Sequence, residues 1–161
     1  MVVQTTYNYN VSVAKLWPLL FNSKMDDKQP CYLLCGLPKP LECRLPDSQG
    51  GVGSTRECVS DKGTIQQRIT EWIPGHKMSF QLVKTDLYFG PCVESIIEQF
   101  EITDNDKGGC HITRTTTFKA KGPLATMVSI PMFIGLKAIH RYVFSNWKRL
   151  SSQRVFGDQK S

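Results

Sequence analysis

Two ionisable side chains, Glu98 and Arg114, are the first candidates for chemistry in this 161-residue chain. Between them, the turn-rich run Asp104–Gly109 predicts a hairpin. If it closes with Phe100 near Arg114, Glu98 becomes a diagonal neighbour of that guanidinium, within reach of a long side chain. Facing inward, such a pair would orient a carbonyl or carboxylate, because a charge left unpaired in an apolar site is expensive. A register shifted by one residue turns both to solvent, where an ion pair contributes about 0–1 kcal/mol and has no part in a site.

Tyr88 and His140 are the other groups able to move a proton. His140 sits on the flank of an apolar helical stripe, on the side of Phe133 and Trp147, which would bring an imidazole to the rim of a cavity. It has no acidic partner in its own helix, and a histidine in that setting is more often a satisfied packing residue. His76 follows a Pro-Gly turn, and His111 points away from the face of Ile112. The chain has no Ser-His-Asp order, Gly-rich phosphate loop or telling carboxylate pair.

The elements that must position these groups are legible along the chain. Val2–Tyr9 predicts a first strand, and Ser12 stands at the N-cap of a short helix, AKLWPLLF, that Pro18 either opens or splits in two. A second helical stretch is expected over Met25–Leu34. Leu41–Leu45, punctuated by Pro38, Pro40 and Pro46, reads as an edge strand because proline cannot donate to a ladder. Val52–Val83 reads as a hairpin and a third strand. Asp61-Lys62-Gly63 reverses the chain, Ile65, Gln67 and Ile69 share a face, Pro74-Gly75 turns, and Met78, Phe80 and Leu82 alternate. After Tyr88-Phe89-Gly90-Pro91, Glu94, Ile96, Glu98, Phe100 and Ile102 share one face, matched by Ile112, Arg114, Thr116 and Phe118.

The terminal segment begins at Gly122-Pro123, and Pro131 either kinks it or marks where its regular helix begins. Met132, Leu136, Ile139, Val143 and Leu150 form its apolar stripe, with Lys137, Arg141 and Lys148 opposite. An antiparallel meander followed by this helix predicts an α+β fold. Met78, Phe80, Met132, Leu136, Ile139 and Val143 would line a cavity if the helix stands off the sheet and form plain core if it does not.

Length predicts one domain over residues 1–153, with a short flexible tail at 154–161. No leader pattern and no apolar run of about 20 residues occurs, so a cytoplasmic, soluble protein is expected. The six cysteines, Cys31, Cys35, Cys43, Cys58, Cys92 and Cys110, are dispersed and are expected to be reduced. No Cys or His pair follows Cys31 and Cys35 at zinc spacing, so neither a metal nor a cofactor is expected. The net charge of +6 is uneven: residues 1–106 carry 10 Lys/Arg against 13 Asp/Glu, whereas 107–157 carry nine Lys/Arg and no acid. That basic half is either a solvated face or a surface for an anionic ligand, an acidic partner or a phospholipid headgroup. A nucleic-acid partner is not expected, because the basic face lacks interleaved aromatic residues.

The segments SVAKLW, GVGSTRE, RITEWIPGHKMSF and GGCHITRTTTF, with NWKRL near the end of the last helix, resemble the START-like helix-grip superfamily, SRPBCC. Within it they are similar to the polyketide cyclase/dehydrase-like branch, and the resemblance covers nearly the whole chain. It implies a curved antiparallel sheet wrapped around a long C-terminal helix, with two short helices after the first strand. Members of the superfamily bind sterols, lipids, polyketides, quinones or plant hormones between sheet and helix, and some are cyclases or dehydratases. The implied function is therefore binding of a small hydrophobic or amphipathic ligand, lipid or polyketide-like, lined by Met78, Phe80, Tyr88, Glu98, Arg114, Met132, Leu136, Ile139, His140 and Val143. None of the matching segments is a catalytic motif, and no catalytic residue is carried over. The alternatives are a cyclase or dehydratase that places protons with Glu98, Arg114, Tyr88 or His140, and a lipid-transfer or membrane-docking module using Lys137, Arg141 and Lys148.

Overall fold

The computed structural model describes residues 1–26, 38–45, 50–105, 107–123 and 125–157, with side chains described as far as Ser152. Period-two alternation builds eight strands: β1 (Val2–Tyr9), β2 (Ser23–Lys24), β3 (Pro40–Arg44), β4 (Thr55–Ser60), β5 (Gly63–Ile73), β6 (Lys77–Thr85), β7 (Val93–Asp104) and β8 (Cys110–Ala120). They form one curled sheet in the order β1-β8-β7-β6-β5-β4-β3-β2, and every described pairing is antiparallel. A single α-helical turn, α1 (Val13–Leu16), passes into a 3-10 turn over Trp17–Leu20. The break falls at Pro18, which fits an opening turn but supplies no donor for a longer helix. The long helix α2 spans Ala125–Gly157 and runs through Pro131. The predicted α+β arrangement of a curved sheet gripping a terminal helix is thus observed, and no described helix is long and apolar enough to cross a membrane.

Bulges set the curl and decide which side chains turn inward. In β5 the register slips between Gln66 and Gln67 and again between Ile69 and Glu71. Beyond the second slip, Trp72 packs against Trp17 and Phe21, with ring centroids 5.4 and 5.3 Å apart. In β7 the slip between Val93 and Ser95 takes Glu94 off the inward face on which the sequence pattern put it. Glu94 is exposed and pairs with Lys119 at 2.9 Å. The start of β8 demands a glycine, since a Cβ on Gly109 would lie 2.2 Å from the carbonyl oxygen of Tyr9.

Three expectations need correction. The segment 41–45 is not an edge, because β2 pairs outside it through Ser23 and Lys24. Met25 extends that pairing by donating its N–H to the Leu41 carbonyl at 2.7 Å, so no helix begins there; the rest of that expected helix, with Cys31 and Cys35, lies outside the described residues. Cys43 and Cys58, directly opposite on β3 and β4, are joined as a disulfide rather than held as thiols. Cys92 and Cys110 are free.

The apolar stripe of α2 rests on β1 and β8, and two polar contacts fix it there. The Tyr9 hydroxyl donates to the Phe144 carbonyl at 2.8 Å. His140, wholly buried, bridges α2 to both strands: Nε2 is 2.8 Å from Thr116 Oγ1 and Nδ1 is 3.1 Å from Thr5 Oγ1. Burial first, then the charges of Arg114 and Lys137, push the imidazole pKa down to about 2. The unfolded chain therefore takes up a proton near pH 6.5 that the folded chain refuses, and stability is lost as pH falls below that value. Between pH 7 and pH 5 this one group is expected to remove roughly 1–2 kcal/mol. Guanidinium melts at both pH values should show a smaller difference for His140→Gln than for the parent. Equal differences would mean that this imidazole titrates as it does in water.

Candidate functional site

Across from the β1 and β8 contact, Leu136, Ile139, Val143 and Trp147 of α2 face Ile65, Leu82, Ile96 and Phe100 of the sheet across a cavity of about 110 Å³. Its walls are completed by Met25, Pro38, Pro40, Leu87 and Phe89. Apolar residues alone would let helix and sheet close together. What stands on the sheet's inner face is instead a cluster of charge: Arg56 on β4, Glu98 on β7 and Arg114 on β8, with the amide of Gln67 from β5.

Strand register assembles this cluster. Phe100 opposes Arg114 and Glu98 opposes Thr116, so Glu98 and Arg114 are diagonal neighbours. Arg114 Nη2 donates to Glu98 Oε1 at 2.6 Å, and both residues are only 6% exposed. Arg56 enters because it pairs with Gln67 across the β4–β5 hairpin, on the face shared by Ile65 and Ile69. Each guanidinium lies over an aromatic ring, Arg56 at 4.3 Å from the Phe80 centroid and Arg114 at 5.2 Å from that of Phe100. Such cation–π contacts return part of the hydration that burial removes.

The two arginines differ in their partners. Arg114 has the Glu98 carboxylate. Arg56 donates Nη1 to the Leu20 carbonyl, and its other nitrogens meet the disulfide, Nε at 3.2 Å from Cys58 Sγ and Nη2 at 3.4 Å from Cys43 Sγ. Sulfur is a weak acceptor, and Arg56 forms no ion pair among the described residues. Burial lowers its pKa to about 10, which leaves it charged at neutral pH. For Glu98, burial works to raise the pKa, but the charges of Arg114 and Arg56 outweigh it and hold the carboxyl below its ordinary value. Among the described residues, four buried side-chain atoms have no hydrogen-bond partner: Ser23 Oγ, Glu98 Oε2, Arg114 Nε and Trp147 Nε1. All four belong to residues that line the cavity.

Of the residues singled out in the sequence, Glu98, Arg114, Leu136, Ile139 and Val143 come together at this cavity. Met78 and Phe80 lie behind it, wholly buried in the core, with Phe80 serving as the platform under Arg56. Met132 packs instead on a second apolar cluster with Val3, Val93, Ile96 and Phe118. Tyr88 is 61% exposed on the turn between β6 and β7, where its neighbours Leu87 and Phe89 line the cavity instead. His140 is not at a rim but sealed between α2, β1 and β8. The residues missed were Arg56, Ser23, Gln67 as a polar group, and Trp147 as a donor. A signal for Arg56 was present, since the Asp61–Gly63 turn sets it opposite Gln67 on the inward face of the hairpin.

No protein-family model matches the chain, and no curated protein sequence does. Solved structures do. Protein MLL2253 from Mesorhizobium loti superposes with a TM-score of 0.64 at 15% identity, over 95% of this chain and 98% of that one. Norcoclaurine synthase from Thalictrum, solved as a point mutant with a transition-state analogue, gives 0.61 at 15% identity over 96% and 95%. A START superfamily protein from Mycobacterium smegmatis gives 0.61 at 11% identity over 92% and 98%. The chain shares with these structures the helix-grip fold, a curled antiparallel sheet closed over a long C-terminal helix.

Proposed function

We propose that the protein binds a small amphipathic molecule between sheet and terminal helix. Its apolar body would lie against Leu136, Ile139 and Val143, with its polar end among Ser23, Arg56, Glu98, Arg114 and Trp147. One observation carries this reading: among the described residues, the four unpartnered buried polar atoms all belong to residues lining one cavity. Native interiors pair nearly all such atoms, and each left unmade costs about 1–3 kcal/mol. A core selected for packing alone would have no use for that arrangement. At about 110 Å³ the space is of the order that admits one aromatic ring or a short acyl chain.

The reading is non-catalytic. A cyclase or dehydratase needs a proton donor or acceptor poised near neutrality beside its substrate. Glu98 is held below its ordinary pKa by two guanidiniums, while Tyr88 and His140 do not line the cavity. Titration with 2-phenylethanol, followed by backbone amide shifts, is expected to move resonances of residues around the cavity. Ile139→Trp, which fills it from the helix side, is expected to abolish those shifts while leaving the thermal transition within a few degrees of the parent. If the parent shows no shifts there with this alcohol or with its carboxylate counterpart phenylacetate, the binding reading fails.

A second reading concerns the outer face of α2. Met127, Ile130 and Ile134 are 70%, 58% and 51% exposed, and at helical spacing they continue into Lys137 and the exposed Arg141. Apolar residues followed by cations on one face suit an anionic lipid surface. Lys137 donates to the Gln4 carbonyl and Lys148 Nζ lies 6.0 Å from the Tyr7 ring, so these two fold back onto β1. Vesicles containing phosphatidylserine should carry the protein upward on flotation, and vesicles of phosphatidylcholine alone should not. Ile130→Asp is expected to prevent flotation. Indifference to lipid charge and salt would remove the membrane reading.

A further inference from the structure

We infer that the polar end of the ligand is an oxyanion, of the carboxylate class. The inference rests on the cavity-binding reading above and adds the sign of the ligand's charge. Among the described residues lining the cavity, the ionised groups are Arg56, Arg114 and Glu98, which sum to one uncompensated positive charge. The excess sits on Arg56. Arg114 is paired with Glu98, whereas Arg56 is 5% exposed, forms no ion pair among the described residues, and directs two of its nitrogens at disulfide sulfurs. A buried guanidinium that feels a carboxylate only at a distance and contacts none is an expensive arrangement, and its ordinary remedy is a partner of opposite charge.

The unpartnered atoms favour the same sign. Arg114 Nε and Trp147 Nε1 can only donate, Ser23 Oγ can donate, and Glu98 Oε2 can only accept. A group that accepts several hydrogen bonds is what such a surround would hold. Planar forked guanidinium nitrogens match the two oxygens of a carboxylate, and charge-assisted hydrogen bonds are roughly twice as strong as neutral ones. A hydroxyl would accept fewer of these bonds and leave the charge on Arg56 where it is. Glu98 does not exclude the anion, since its own charge is already answered by Arg114.

The test compares two probes of nearly equal shape at pH 7, phenylacetate and 2-phenylethanol, by amide shifts or calorimetry. Phenylacetate is expected to bind about tenfold more tightly or better. Two substitutions at the cavity should act in opposite directions. Arg56→Met should remove most of the preference, and Glu98→Gln, which deletes the competing negative charge and keeps an oxygen for Arg114, should tighten phenylacetate severalfold without tightening the alcohol. Should Arg56→Met not fold, the parent and Glu98→Gln still decide the matter. Binding of neither probe would overturn the cavity reading itself. Equal binding of both would overturn only the charge assignment. A carboxylate preference untouched by either substitution would also overturn it, since the anion would then be read elsewhere on the basic half of the chain.

Discussion

Charge on the inner face of the sheet is the constraint from which the rest of this structure follows. A sheet and an amphipathic helix ordinarily close until their apolar side chains interdigitate. Here two guanidiniums and a carboxylate stand where that contact would form, and each needs partners that aliphatic side chains cannot supply. The helix therefore meets the sheet fully only on one side, along β1 and β8, where Tyr9, Thr5 and Thr116 bind it through Phe144 and His140. Over β4 to β7 it stands away, and the gap is the cavity. The separation is thus built from the polar sequence rather than from poor packing, and Phe80 and Phe100 support it by holding the guanidiniums on their faces.

The two buried basic groups near each other, His140 and Arg114, divide the work. His140 stays neutral because of its burial and its cationic surroundings, and in that form it can serve two threonine hydroxyls at once. Arg114 is ion-paired with Glu98 and lies over the ring of Phe100. An imidazolium in place of the first would crowd the second, which is why the helix anchor and the charged cluster can occupy adjacent positions on β8. Thr116 joins them, opposite Glu98 in register and bonded to His140.

Much of this was legible in the sequence, and the reasons differ by element. Alternation over β6, β7 and β8 and the turn residues at 104–109 made Phe100 opposite Arg114 one of two registers a residue apart, and the observed ladder is the one that puts Glu98 on the diagonal. The bulge after Val93 was not legible, since an extra residue leaves no mark on composition, and Glu94 was misplaced by it. Met25 was read as helical because apolar and polar residues in a short segment fit either period. Arg56 escaped for a different reason. An arginine in a strand is more often a solvated residue than a buried one, and only the pairing of β4 with β5 turns it inward. The disulfide was missed because Cys43 and Cys58 become neighbours through strand pairing, which spacing alone does not encode.

The pairing of β1 with β8 has a consequence for how the chain reaches this state. Val2 opposes Thr117 and Tyr9 opposes Cys110, so the first strand has no ladder partner until almost the whole sheet has been made. The middle strands join in sequence order through short connections and can assemble locally. The first strand and the last helix must wait for each other, and their meeting closes the longest loop in the molecule. Such non-local closure is slow and comes late on a ribosome. Until then the inner face of β4 to β7, with its arginines and phenylalanines, faces water uncovered. The same charges that later hold the helix off the sheet meanwhile keep that nascent surface from sticking to its neighbours.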